Sequence, residues 1–353
     1  MDKKESFYWD LVKGTAIFLM LWGHCIQYCG LEKVNCFRDS VFKTIYTFHM
    51  PVFMLVSGYL FFYSFQKRNL RDLLAHRIQG MLHPIVAATV FSNILTLLPT
   101  YILSNRADFL FGSLFLGIDE YFWFLWAVLY CSVIVAVCGK VTDKLGWQFF
   151  LMILGGGGIL LVPQWNTTLF MYPYFVAGFF CAMYRDRAVR VYKILRFVML
   201  VLFPVLLDYH KQQHLIYFTP MYSEELGLAA SMEIALFRWA IGFVGSIWML
   251  SIMEFLLWLK DRIPVLESCL LGVSRLGRNS LQIYCLSLPL LTVYMRHGYR
   301  KIVEIIGSNV FAQNRTVYDW IFTPALALAW SVVLYYLVVL LKKSKLHSLI
   351  FGR

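Results

Sequence analysis

The chain has 353 residues, of which 60% are hydrophobic, 18% aromatic and only 15% charged, with a formal net charge of +12. A water-soluble domain carries roughly 25% charged residues, so a chain this apolar has too few polar groups to cover itself with water and must bury most of its surface in lipid. The positive balance fits the basic inner face of a membrane protein, and a nucleic-acid-binding role is set aside.

Ten apolar runs follow one another: 7–29, 41–63, 78–103, 121–139, 146–162, 168–184, 192–208, 232–258, 279–296 and 318–341. Each approaches the ~20 residues that cross ~30 Å of hydrocarbon as a helix. The first lacks a small-residue cleavage site and is long enough to span, so it reads as a retained helix. The run at 146–162 is softened by Gly155–Gly158, and that at 168–184 is interrupted by Pro173. Residues 104–120 are also apolar and are expected to lie along the interface. The expectation is an all-α, polytopic transmembrane bundle of about ten helices forming one domain over 1–353. No internal repeat and no soluble appendage is read.

Lys and Arg set the orientation. With the N-terminus inside, Lys67, Arg68, Arg71, Arg77, Arg185, Arg187, Arg190, Lys193, Arg196, Lys260, Arg262 and Lys342–Lys345 fall in inner segments, and the outer segments carry fewer basic residues. Both termini are therefore expected in the cytoplasm. Eight cysteines are spread mainly through apolar runs with no CxxC pair, which speaks against a disulfide framework or a metal site.

Ionisable groups inside these runs are costly and usually face a cavity or a partner. In the first run, Asp10 and Lys13 are three residues apart on one helix face. His24 lies eleven residues beyond Lys13, about three turns and roughly 16 Å along the axis, on the same face. Spacing alone allows an Asp10–Lys13 ion pair at the inner interface and a packing role for His24. In the second run His49 and Pro51 lie in the outer third, with Ser57 and Gly58 deeper. Arg68, Arg71 and Arg77 follow on the inner side, as a leaflet anchor or as a clamp for phosphates. Asp119 and Glu120 mark the outer mouth of the fourth run. Arg238, deep in the eighth, calls for a carboxylate or an anionic ligand; Glu233 at i−5 is badly spaced, so a partner on another helix is expected. Glu254 is expected to pair with Lys260 or another basic group.

The basic-x10-His spacing in "DLVKGTAIFLMLWGH" (10–24), together with "FHMPVFMLVSGYLF" (48–61), resembles the acyltransferase 3 family of integral membrane acyltransferases. Weaker matches are "HRIQGMLHP" (76–84), "FWFLWAVLY" (122–130) and "LGRNSLQIYCLSLPL" (276–290). Two departures stand out: Lys13 where the family usually has Arg, and Ser287 where it often has His. The resemblance implies a ten-helix enzyme that takes an acyl group, usually acetyl, from acyl-coenzyme A at the cytoplasmic side. It delivers that group to a hydroxyl of a sugar, surface polysaccharide or glycolipid.

On that reading His24 is the general base or the nucleophile, with the base preferred, and Asp10 and Lys13, grouped with it at the catalytic site, fix the helix or meet the donor. Arg68, Arg71 and Arg77 bind donor phosphates, and His49, Glu120, Asp119 and Arg238 line the acceptor side. Trp123 and Trp126 are suited to stack on a sugar ring, but the commoner role of interfacial aromatics is preferred. No metal is expected, and the bacterial inner membrane is the expected location. The competing reading is a non-enzymatic transporter of a glycan precursor or small anion.

Overall fold

The computed structural model describes residues 3–28, 36–104, 114–115, 117–118, 122–142, 144–159, 166–291 and 314–351. These are mainly helical, with no strand among the described residues. The helices are α1 (Lys3–Tyr28), α2 (Ser40–Lys67), α3 (Leu70–Ser104), α4 (Trp123–Val141), α5 (Leu145–Ile159), α6 (Asn166–Met183), α7 (Arg185–Tyr209), α8 (Gly227–Leu259), α9 (Pro264–Arg278), α10 (Ser280–Leu290), α11 (Arg315–Lys342) and α12 (Lys345–Phe351). By length and composition, α2, α3 over Leu70–Leu95, α4, α8 and α11 are able to cross a membrane. The chain is thus an integral membrane protein by its helices. Helix α1 has the length, 26 residues, but Lys13, His24 and Gln27 dilute its apolar character. Helices α5 and α10 are shorter than a full span at 15 and 11 residues.

The glycines of α5 do not break it, because two of them are packing sites. A Cβ at Gly155 would come within 2.6 Å of Ile134 Cγ2, and one at Gly156 within 2.9 Å of the Tyr172 ring. Pro173 is likewise carried inside α6, as Pro51 is inside α2. Helix α9 falls between two apolar runs: Glu267, Arg275 and Arg278 keep it from reading as apolar, and only Leu270, Ser274 and Gly277 along it are buried.

The chain divides into two compact units, each considered by itself. The first comprises Met1–Val12, Tyr46–Gln79 and Trp123–Leu271. Its centre is the crossing of α2 and α6, where a Cβ on Gly58 would collide with the Phe175 carbonyl and one on Gly178 with the Leu55 carbonyl. Reciprocal small residues let two backbones approach closely, as membrane helices do in the absence of a hydrophobic driving force between them. Around this crossing Phe61, Phe62, Phe65, Phe175 and Phe179 form one aromatic cluster. Helix α8 joins it through Trp239 Nε1, which donates to the Phe170 carbonyl at 3.1 Å, and α7 packs on α8 through Phe203 and Trp248. Helix α7 turns the opposite stripe outward, with Ile194, Phe197, Val198, Val201 and Val205 all exposed; at helical spacing this is a lipid-facing surface. Glu254 pairs with Arg196 at 2.8 Å and accepts from Tyr192 at 3.0 Å, so its partner comes from α7 and is not Lys260.

The second unit comprises Lys13–Ile45, Gly80–Phe122 and Gly272–Arg353. Gly14 is pressed against the Val273 carbonyl of α9, which leaves no room for a side chain there. Trp22 Nε1 donates to Thr323 Oγ1 at 2.9 Å, and Tyr318 Oη to the Ile26 carbonyl at 3.4 Å, fastening α1 to the first turns of α11. Those turns include a π-helical segment, Tyr318–Phe322. Asp39, 1% exposed, caps α2 by accepting from the Phe42 amide at 2.7 Å. It also receives the Arg315 guanidinium, which reaches Asp319 at 3.5 Å as well.

Candidate active site

Helix α1 carries Lys13 and His24 on the second unit, both half-buried. A continuous helix between them keeps the two on one face, roughly 16 Å apart along the axis. Asp10, also half-buried, lies three residues before Lys13. His24 Nδ1 is 3.2 Å from Gln27 Oε1. With the amide oxygen accepting, Nδ1 carries the ring proton and Nε2 is the basic nitrogen. Gln27 was not singled out from the sequence, although the i, i+3 spacing that brings it beside His24 is visible there. Ser287, which stands where the family often has His, is buried and donates to its own helix at the Tyr284 carbonyl, 2.9 Å away.

Arg68, Arg71 and Arg77 belong to the first unit. Arg68 precedes α3, whose start is capped by Asn69: its side-chain oxygen accepts from the Asp72 amide at 2.9 Å. Arg71 is exposed, and Arg77 is half-buried with its guanidinium 4.7 Å from the Phe61 ring centre. Six residues separate Arg71 from Arg77, so they point about a third of a turn apart around α3. They do not form a single stripe, and part of Arg77 is engaged in packing. Asp119 and Glu120 lie outside the described residues, as do most of 104–120 and Cys29.

His49 and Arg238 do come together, also in the first unit. Both line a cavity with Tyr46, Trp123, His210, His214 and Tyr217. His49 and Arg238 are each 2% exposed, and His210 is 6% exposed. From its depth in the eighth apolar run, Arg238 calls for a carboxylate or an anionic ligand, with the partner on another helix. Its hydrogen-bond partners are instead backbone carbonyls of the segment that leads into α8. Nε donates to His214 O at 2.8 Å, and Nη2 to Gln213 O at 2.8 Å, Thr219 O at 2.7 Å and Leu215 O at 3.2 Å. Nη1 reaches Pro220 O at 3.4 Å. A buried donor set this large must be satisfied, and one fork of five N–H groups gathers a whole loop.

The segment so gathered brings His210 and His214, neither of which the sequence singled out, to the cavity wall. His214 Nδ1 accepts from the Lys211 amide at 2.9 Å, and its ring lies 4.3 Å from that of Phe237. Partial burial, then the positive charges of Arg238 and Lys211, hold the His214 imidazolium below the usual histidine range, with Glu233 opposing.

A family model described as an acyltransferase domain matches residues 6–341. Two curated relatives are nodulation proteins NolL. That of Mesorhizobium japonicum is 26% identical over 175 residues, which is 49% of this chain and 47% of that protein. That of Sinorhizobium fredii is 27% identical over 185 residues, 49% of this chain and 48% of the relative. The chain thus spans about half the length of the curated relatives it matches. No solved structure matches.

Proposed function

Because the chain belongs to the acyltransferase 3 family, we propose that it is a membrane O-acyltransferase that moves an acyl group, by preference acetyl, from acyl-coenzyme A to a hydroxyl of a sugar, surface polysaccharide or glycolipid. The observation that carries the mechanism is the His24–Gln27 contact on the helix that also bears Lys13. It supports a tautomer with Nε2 as proton acceptor, the form a general base requires.

In this mechanism the acceptor hydroxyl gives its proton to His24 Nε2 as its oxygen attacks the thioester carbonyl. Collapse of the tetrahedral adduct breaks the carbon–sulfur bond, and the departing thiolate takes the proton back from the imidazolium. An ester and free coenzyme A result, with no net proton change. Lys13 lies on the same face as His24 and supplies positive charge toward the donor, and Asp10 balances it. Arg68, Arg71 and Arg77 are assigned to the donor phosphates, with Arg68 and Arg71 the better placed because Arg77 is occupied against Phe61. His49 lines the acceptor side, to which Asp119 and Glu120 are also assigned; Arg238 acts there through the loop it gathers. The ten-span topology rests on the ten apolar runs and the placing of both termini inside on the distribution of Lys and Arg; the proposed location is the bacterial inner membrane.

The test is transfer of labelled acetyl from acetyl-coenzyme A in membranes containing the wild type or His24→Ala. Loss of general-base catalysis predicts a fall of about 100- to 10,000-fold. Acylation that persists at normal protein level would remove His24 from the chemistry. For the donor site, affinity for acetyl-coenzyme A is compared after Arg68, Arg71 and Arg77 are changed to Gln; an unchanged affinity eliminates that assignment.

A further inference from the structure

Helix α7 opens with five basic residues over Arg185–Arg196, and they divide into two sets. Arg185 pairs with Glu5 at 3.2 Å and Arg196 with Glu254 at 2.8 Å, each reaching another helix of the first unit. Arg187, Arg190 and Lys193 are exposed, and among the described residues none of the three has a carboxylate within ion-pair distance. Arg190 Nε donates to the Asp186 carbonyl at 3.4 Å, and the Arg187 guanidinium lies 5.9 Å from the Tyr184 ring centre. Neither contact is with an anion. Asp186 is the acid on this turn, exposed and in no ion pair among the described residues. Three cations against one acid leave this surface positive.

The two arginines head the exposed apolar stripe of the same helix. At about 100° per residue, Arg187 and Arg190 fall with Ile194, Phe197, Val198, Val201 and Val205 inside one arc of about 100°, and all seven side chains are exposed. Spacing along the axis matches a lipid. Ile194 follows Arg190 by four residues, about 6 Å, and the headgroup layer of a bilayer is roughly 5–8 Å deep on each side. From Ile194 to Val205 is eleven residues, about 16 Å, close to the depth of one leaflet of a hydrocarbon core about 30 Å thick. One line on α7 thus presents cations at phosphate depth and apolar side chains over the length of an acyl chain.

We propose that this face of α7 is a binding site for an anionic phospholipid: Arg187 and Arg190 hold its phosphodiester, and the Ile194–Val205 stripe lies along its acyl chains. A guanidinium fork suits phosphate oxygens, and Lys193 adds charge at the edge. A zwitterionic lipid brings an ammonium of its own, so the charge complementarity selects an anionic headgroup. A soluble phosphate would engage the arginines and leave the stripe uncovered. The site does not depend on the acyl-transfer reading, since none of these residues is assigned to donor, acceptor or chemistry.

The full-length protein in detergent is given equimolar phosphatidylglycerol and phosphatidylcholine with the same acyl chains, and the lipids it retains are counted by native mass spectrometry. A basic residue at an anionic membrane surface is worth about fivefold, so two predict a preference for phosphatidylglycerol of roughly tenfold or more. That preference should fall by at least about fivefold in R187Q/R190Q. The control K343Q/K345Q removes the same charge from an exposed stretch outside the site and should leave the preference unchanged. Glycerol 1-phosphate, a headgroup without chains, should fail to displace phosphatidylglycerol at millimolar concentration. Equal retention of the two lipids overturns the proposal, as does a preference that R187Q/R190Q keeps. An equal loss in K343Q/K345Q reduces the effect to bulk attraction and sinks the site. Displacement by glycerol 1-phosphate gives the arginines to a soluble phosphate instead. The lipid ratio and the displacement are read on the wild type, so they decide the matter whether or not a variant folds.

Discussion

Replacing Arg238 with Leu isolates what the buried guanidinium does for the loop it gathers. Four carbonyls lie 2.7–3.2 Å from its nitrogens, those of Gln213, His214, Leu215 and Thr219. Hydrogen bonds to charged groups are worth about 1.5–3 kcal/mol each, so simple addition would give roughly 6–12 kcal/mol. That sum overshoots, because freed carbonyls regain water in part, and Tyr217 and Phe218 beside them are 51% and 45% exposed. A local loss of roughly 3–5 kcal/mol is the reasonable expectation, concentrated in the segment and not shared by α8.

Amide hydrogen exchange reads this directly. The amides of His214, Leu215, Phe218 and Thr219 are all bonded within the segment. Their protection is expected to fall by about a hundredfold to several thousandfold in R238L, with helix α8 beyond Gly242 unchanged. Arg238→Lys, which keeps the charge and loses the fork, falls between. If the four amides lose less than about tenfold protection in R238L, the guanidinium is not what holds the loop.

Three further expectations follow from the same structure. Gln27→Leu removes one neutral hydrogen bond from His24, worth about 0.5–1.5 kcal/mol, so kcat should drop roughly two- to twelvefold with an unchanged thermal midpoint; an unaltered kcat would show that Gln27 does not orient the ring. Gly178→Ala places a methyl group against the Leu55 carbonyl and should cost about 1–3 kcal/mol in reversible unfolding, whereas Gly157→Ala, which meets open space, should be neutral or slightly stabilising. Because the imidazolium of His214 is disfavoured in the folded chain, the unfolded chain binds the extra proton more readily. The stability it contributes is complete above about pH 6.5 and is lost as pH falls through the lower folded value. Thermal midpoints from pH 8 to 5 should therefore decline less steeply in His214→Gln than in the wild type, and identical slopes would contradict this.

Much of the helical architecture is written in hydropathy, because a lipid-embedded chain has little freedom in where its apolar runs form helices. Where the reading strained, at Gly155–Gly158 and Pro173, tertiary contact decided: the glycines take Ile134 and Tyr172 against bare backbone, and α6 continues through its proline. Helix α9 was hidden because its charges break the apolar pattern that marks a span. At the site, the depth of Arg238 was plain from its position in the eighth run, but its partners were not. They are main-chain carbonyls, and any residue type provides those; only the folded path of residues 213–220 places them. His210 and His214 escaped notice for the same reason, lying in a connection without periodicity. The Glu254 partner was open between Lys260 and other bases, and the packing of α7 on α8 selects Arg196.

The Asp39–Arg315–Asp319 group has a bearing on how this protein is made. Its closing contact joins residues 276 apart in the chain, and the neighbouring Trp22–Thr323 bond joins residues 301 apart. Asp39 thus stands at the head of α2 through the synthesis of the next 276 residues, the last of which is its basic partner. Until then, of these contacts, its carboxylate has only that with the Phe42 amide. Arrival of Arg315 adds the ion pair that joins α2 to α11 within the second unit. A ribosome-stalled chain ending before residue 315 should therefore leave Asp39 reachable by a water-soluble carbodiimide, and one extended past α11 should shield it. Closure of this part of the fold in this sense waits on a single ion pair.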